Sequence, residues 1–227
     1  AENTCRVIEF QDVRPDIIAK QIDAVFEDIP PDAVKVGMLS CRETMLTVAD
    51  KLQEWQARNV VIDPVMYAKN GCELMDSGAI DTLIAKVIPL ADVLTPNIPE
   101  AEKITGIQIR TRDDMIEAAR EIHKGGCKAV IIKGGHSDGD ATDILFDGRE
   151  IYSFSSPRIH TKNTHGTGCT FSSAVAANLA NGNTFAKSVE LAKDYITAAI
   201  EHSLQIGKGH GPTNHFHNFF KNGEFQI

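Results

Sequence analysis

Short apolar runs alternate along this chain with longer stretches whose apolar residues recur every third or fourth position. The recurrence is that of a helix with one buried face, and the short runs suit strands buried on both faces. Residues 5–10 are mixed in pattern and predict a short strand. Pro15 then opens a helix with Ile17, Ile18, Ile22, Val25 and Phe26 at helical spacing, and Pro30-Pro31 stops it. Residues 33–36 predict a strand ending at Gly37, and residues 42–58 a helix with Leu46, Ala49, Leu52 and Trp55 on one face. Val60-Val61-Ile62 is β-branched throughout and ends at Asp63-Pro64, where proline cannot donate to a ladder.

Further along, residues 79–88 predict a helix, and Val93-Leu94 a strand closed by Thr95-Pro96. Helices follow over 99–104, with Pro99 and Glu100 in the first turn, and over 113–124, ending at Gly125-Gly126. The apolar strand 129–132 delivers Lys133-Gly134-Gly135-His136 into a turn, and residues 142–146 and 151–154 read as a hairpin about Asp147-Gly148. Residues 153–161 alternate like a strand leading into the glycine turn at 163–170, which runs into a small-residue helix over 171–180. Residues 186–205 predict the last long helix, and 207–220 form a tail rich in glycine and histidine. The alternation predicts a three-layer α/β/α fold with a mostly parallel central sheet, in a single domain over 1–227.

Composition narrows the function classes. The 227 residues carry a formal net charge of −8, which argues against nucleic acid or an anionic membrane as the main partner. No apolar run is long enough to span a bilayer, and the start has no signal-peptide pattern. Cys5, Cys41, Cys72, Cys127 and Cys169 are odd in number and scattered, without a CxxC pair, which favours a reducing cytoplasm.

Ligands of such sheets bind beyond the carboxyl ends of the strands. Asp63, Asn97, Glu100, Lys133 and the Gly166–Cys169 turn are all expected to follow strands directly, on one edge. Gly166 and Gly168 permit a tight bend and a close approach of ligand to backbone N–H groups, and the first turn of the following helix favours an anion. Cys169 stands at the helix entrance, where the positive end of the dipole favours a thiolate. Carboxylates for Mg²⁺, a lysine for phosphate and an N–H cradle together point to phosphoryl transfer. Each has a plainer reading: Asp63 as a turn cap, Glu100 as a first-turn residue facing the dipole, Cys169 as a packed thiol. His210, His215 and His217 have a spacing that invites a metal, but no cysteine or carboxylate completes a tetrahedral set. His136 and His165 read as polar rim residues, and the other four cysteines as small core or surface residues.

The motifs, in order, resemble those of the hydroxymethylpyrimidine/phosphomethylpyrimidine kinases within the ribokinase-like superfamily. They are Ala-Glu-Asn-Thr (1–4), Ala-Val-Lys-Val-Gly-Met-Leu (33–39), Ile-Asp-Pro-Val-Met (62–66) and Leu-Thr-Pro-Asn-Ile-Pro-Glu-Ala (94–101). Ile-Lys-Gly-Gly-His (132–136), His-Gly-Thr-Gly-Cys-Thr (165–170) and Gly-His-Gly-Pro-Thr-Asn-His-Phe (209–216) complete the set. The resemblance implies ATP- and Mg²⁺-dependent phosphorylation of the hydroxymethyl group of 4-amino-5-hydroxymethyl-2-methylpyrimidine, and then of its monophosphate, by a homodimer. It places Cys169 as catalytic base and Gly166, Thr167 and Gly168 as the anion hole. Asn97, Glu100 and Lys133 fall on the nucleotide side, Asp63 and Glu100 near the metal, and Glu2 and Val65, with Cys169, in the substrate pocket.

Two departures from the family pattern bear on these expectations. The family has about 40 further residues ahead of position 1, enough for one βα unit and its loop. They carry a first strand and a Gly-Ser-Asp-Ser-x-Gly-Gly-Ala-Gly substrate loop, neither of which falls within residues 1–227. Glu2 stands where the family has Gln, and a carboxylate accepts from a ring amino group without being able to donate unless protonated. Three other readings remain: a pyridoxal or pyridoxine kinase of the same fold, a non-catalytic nucleotide-binding relative, and an acyl-transfer enzyme with Cys169 as nucleophile.

Overall fold

A computed structural model of the chain describes all residues except 68–70, 72–73, 77, 136–139, 222–223 and 226–227. Cys72 and His136 thus lie outside the described residues. The central sheet has six strands in simple chain order: β1 (Val34–Val36), β2 (Val60–Ile62), β3 (Val93–Leu94), β4 (Ala129–Ile132), β5 (Ala141–Phe146) and β6 (Ile151–Ser156). The first four pair in parallel, while β5 and β6 add on antiparallel as a hairpin. That parallel part requires crossovers, which the helices supply.

Side chains alternate across the strands into two cores. Val60, Ile62, Leu94, Val130, Ile132 and Ile144 face a core covered by α1 (Pro15–Asp28), α2 (Arg42–Glu54), α4 (Ile98–Thr105) and α5 (Arg112–Lys124). Val61, Val93, Ala129, Ile131 and Leu145 face the other way, onto α6 (Thr167–Ala180) and α7 (Phe185–Glu201). Each such buried Val or Ile is worth about 1.5–3 kcal/mol relative to exposure. The continuous apolar runs are therefore the signature of a sheet covered on both faces, as the pattern predicts.

Several predicted boundaries move, each for a local reason. Residues 5–10 form no strand, since Asn3 folds the start into a turn by accepting from the Cys5 and Arg6 N–H groups. The second helix stops at Glu54 rather than at residue 58, because Gln56 and Asn59 take left-handed backbone angles, φ 48° and 53°. Over 79–88 there is only one α-turn, α3 (Ala79–Thr82), followed by a π-helical turn at Leu83–Val87 and a 3-10 turn at Ile88–Leu90 containing Pro89. The last helix ends at Glu201 instead of reaching residue 205. The alternation at 153–161 stays strand-like only to Ser156, and Pro157 opens a loop instead. No helix among the described residues is long and apolar enough to cross a membrane.

Candidate active site

Asp63 follows β2 directly and is 2% exposed. Lys133 follows β4 and places its ammonium 2.8 Å from Asp63 Oδ1. The Thr95 hydroxyl, just past β3, donates to the same oxygen over 3.2 Å, and the Ser172 hydroxyl of α6 donates to Oδ2 over 3.4 Å. Four elements separated in sequence thus meet on one carboxylate at the carboxyl edge of the parallel strands.

Glu100 is 4% exposed in the first turn of α4 and closes a reciprocal cap with Asn97. The Glu100 amide donates to Asn97 Oδ1 over 2.9 Å, and the Asn97 amide donates to Glu100 Oε2 over 2.8 Å. This cap explains why both residues stand where they do. Burial pushes the Glu100 carboxyl above the usual carboxylate range; Lys133 and the Asn97 amide oppose the shift, and Asp63 adds to it. Burial by itself pulls the Lys133 ammonium down, but Asp63 and Glu100 more than offset it, and the group is held above its ordinary value. Lys133 is therefore a charged lysine facing two carboxylates.

The glycine turn reaches this edge by another route than expected. It does not follow a strand directly, since the loop after Ser156 separates it from β6. The C-terminal tail positions it instead. His165 donates its amide to Gly211 O over 3.0 Å, Thr213 donates back to His165 O over 3.4 Å, and the Thr170 hydroxyl bonds His215 Nε2 at 2.9 Å. The same tail holds the start of the chain, with His210 and Gly209 amides donating to Thr4 O and Oγ1 over 2.9 and 3.2 Å. Gly166 caps α6 at φ 78°, a left-handed angle that disfavours a side chain. Gly168 lies over the ion pair: a Cβ there would stand 3.3 Å from Lys133 Nζ and 3.7 Å from Asp63 Oδ2. Thr167 donates its hydroxyl to Thr164 O over 2.8 Å, which fixes the entrance of the helix. The Gly168 and Cys169 amides donate to no acceptor among the described residues, as expected for the first turn of a helix. Cys169 is exposed and free.

The edge therefore gathers Asp63, Asn97, Glu100, Lys133 and residues 166–169. Val65, half-buried, bends back so that its amide donates to Asp63 O over 2.8 Å. Glu2 is exposed, bridges Val7 through its backbone, and forms no side-chain hydrogen bond or ion pair with these groups. The sequence reading gave Thr95 and Ser172 no site role and weighed His215 only as a metal ligand. Ser172 stands one helical turn after Cys169, a spacing that would have disclosed it; Thr95 and His215 lie inside motifs 94–101 and 209–216, but their partners there are set by contacts distant in sequence. His215 and His217 are engaged with Thr170 and Asn214, and His210 with Lys162 O. No histidine hydrogen-bonds Cys169 among the described residues, which removes support from an acyl-transfer reading.

Mg²⁺ fits the donor set. Two carboxylates acting on one ammonium leave excess negative charge, and their hard oxygens suit a cation that takes one or two carboxylates plus phosphate oxygens. No group of three or more His, Cys, Asp or Glu converges among the described residues, so the protein offers no closed metal cage there.

A sheet of this order, with a lysine–carboxylate pair under a glycine-lined helix start, defines a ribokinase-like phosphotransferase. The chain belongs to the phosphomethylpyrimidine kinase family, whose model matches residues 1–214. It is 52% identical over 216 residues to the thiamine biosynthesis bifunctional protein ThiED of Geobacter sulfurreducens, covering 95% of this chain and 44% of that protein. The hydroxymethylpyrimidine/phosphomethylpyrimidine kinase of Bacillus subtilis is 44% identical over 218 residues, with 95% of this chain and 80% of that kinase covered. Among solved structures, an ADP complex of Bacillus subtilis pyridoxal kinase superposes with a TM-score of 0.83 at 39% identity, covering 91% of this chain and 78% of that one.

Proposed function

We propose that the chain transfers the γ-phosphoryl group of ATP to the hydroxymethyl group of 4-amino-5-hydroxymethyl-2-methylpyrimidine, and then to the resulting monophosphate, in thiamin biosynthesis. The observation that carries this reading is the position of Gly168, whose missing side chain leaves the Asp63–Lys133 pair open beside the exposed Cys169. Phosphoryl transfer asks mainly for positioning and charge stabilisation. In this reading the turn at Gly166, Thr167 and Gly168, with the free amides of Gly168 and Cys169, holds the γ-phosphoryl oxygens, and Lys133 offsets charge on the nucleotide side, where Asn97 and Glu100 also lie. Cys169 takes the alcohol proton as the O–P bond forms and the bond to ADP breaks. Mg²⁺ held by Asp63 and Glu100 would neutralise phosphate charge. Val65 and Glu2 are assigned to the substrate side.

ADP in the related pyridoxal kinase supports ATP as donor. The same likeness favours a second reading, phosphorylation of pyridoxal or pyridoxine. Side-by-side kcat/KM values for the two alcohols in an ATP-coupled assay discriminate them, and absence of turnover on both would leave a nucleotide-binding relative. Glu2→Gln is expected to shift the ratio of the two values, and an unchanged ratio removes Glu2 from specificity. We place the activity in a reducing cytoplasm, supported by free thiols at Cys5, Cys41, Cys127 and Cys169. The homodimer rests on the family resemblance, and light scattering tests it.

A further inference from the structure

Behind the site lies a second aspartate–lysine pair that phosphoryl transfer does not itself require. Asp143 on β5 and Lys193 on α7 are 5% and 8% exposed, and the Lys193 ammonium stands 2.8 Å from Asp143 Oδ2. Lys193 also donates to Ala141 O over 2.7 Å, so it ties α7 to the start of β5. The other carboxylate oxygen, Asp143 Oδ1, accepts the backbone amide of Gly134 over 2.9 Å. Gly134 is the residue after Lys133, and its backbone is pressed so close to β5 that a Cβ would stand 1.9 Å from Thr142 O. On the other side, the Lys133 amide donates to Pro96 O over 2.9 Å. The backbone at Lys133 is thus held on one side by the β3–α4 turn and on the other by a buried carboxylate oriented by a buried ammonium.

A buried ion pair is weak evidence for stability, because desolvation offsets much of the attraction and apolar replacements often match it. Its carboxylate makes a directional bond, however, and that bond ends on the residue next to the site lysine. We propose that Asp143 and Lys193 are positioning residues for nucleotide phosphate binding: through the Gly134 amide they fix the direction in which Lys133 presents its ammonium. The proposal rests on Lys133 acting on the nucleotide side, as above.

Two compensated double variants test it without leaving a lone buried charge. Asp143→Asn with Lys193→Met removes both charges but keeps an acceptor for the Gly134 amide. Asp143→Leu with Lys193→Met removes the acceptor as well. The measurements are ADP affinity by calorimetry, KM for ATP, KM for the pyrimidine alcohol, and Tm. The Leu/Met protein is expected to bind ADP about tenfold more weakly, and the Asn/Met protein about threefold, as suits loss and retention of one directional hydrogen bond. KM for the alcohol should stay within twofold in both. Lower Tm with ADP affinity and KM for ATP unchanged would make the pair merely structural and overturn the proposal. Should the Leu/Met protein not fold, the Asn/Met protein decides alone, with ADP affinity within 1.5-fold of the parent (about 0.24 kcal/mol from RT) as the contrary result. ADP binding needs no alcohol, so a parent that binds ADP but leaves the pyrimidine unphosphorylated would refute the substrate assignment and not this inference.

Discussion

The two aspartate–lysine pairs have the same length, 2.8 Å, and different partners. Asp63–Lys133 joins the ends of two parallel strands under a glycine, with the aspartate side chain buried at 3% and the lysine side chain 16% exposed. Asp143–Lys193 joins a strand to a helix, and both side chains are sealed, at 7% and 10%. At the open pair the partners of Asp63 come from hydroxyls and an ammonium that a phosphate or metal can replace. At the closed pair the partners include backbone groups, Gly134 N–H and Ala141 C=O, that nothing can displace without moving the chain. The same chemistry thus serves as a binding group where the fold leaves it uncovered, and as a fixture where the fold closes over it.

The largest expected effect comes from breaking one partner of each pair. Lys133→Met should lower kcat/KM for ATP by about 10²–10³-fold, since it removes a preorganised charge from the transferred group, and should cost less stability because the Thr95 and Ser172 hydroxyls still bond Asp63. Lys193→Met alone should cost about 3–5 kcal/mol of stability, because Asp143 is left as an uncompensated buried charge. Steady-state kinetics and urea denaturation of both proteins check this, and equal stability losses would erase the contrast.

The cysteines sharpen the comparison next. Cys127 is buried, its thiol pushed up to about 12 by burial, with Sγ donating to Ile122 O over 3.6 Å. Cys127→Ala should leave kcat intact and cost about 1 kcal/mol in folding, whereas Cys169→Ala should lower kcat about 100-fold. A Cys169→Ala enzyme as fast as the parent would remove the base assignment.

The glycines follow. Gly168→Ala introduces a Cβ 3.3 Å from Lys133 Nζ, which should raise KM for ATP about tenfold with Tm nearly unchanged. Gly134→Ala meets backbone, Thr142 O at 1.9 Å, so the expected loss is in Tm, from about 1–3 kcal/mol of overpacking.

Glu100 gives the smallest and most pH-dependent effect. Burial raises its carboxyl above the ordinary value of 4.5, so the folded state holds the proton more tightly than the unfolded chain. The resulting stabilisation is fully present below 4.5 and is lost as pH rises through the raised value. Glu100→Gln, which can still accept from the Asn97 amide, should therefore gain Tm relative to the parent as pH goes from 4 to 8. If Glu100 also meets the metal, the same variant should need several-fold more Mg²⁺ for half-maximal rate; an unaltered Mg²⁺ requirement leaves the cap as its only role.

Most of this was legible along the chain where the physics is local. Apolar runs such as Val60–Ile62 and Ala129–Ile132 announced strands buried on both faces, because burial on both sides leaves no polar alternation. Pro99 and Glu100 announced a helix start, since both suit a first turn, and the structure adds Asn97 as its cap. Strand ends named Asp63 and Lys133 as site residues, and the glycine–cysteine turn named itself by its motif.

What the sequence could not carry was distance across the chain. Lys133 lies 70 residues from Asp63, and nothing in either neighbourhood states that they share a proton-bearing contact. The glycine turn was expected to leave its strand directly, yet the tail residues Gly211, Thr213 and His215 set its place. The buried Asp143 and Lys193 read in sequence as an ordinary strand aspartate and helix lysine. Local propensity and periodicity depend on a few neighbouring residues, so the sequence by itself determined most of the strands and helices. Which charges meet, and which of them remain open to a ligand, depends on how two layers of helices close over one sheet, and only the tertiary structure decided that.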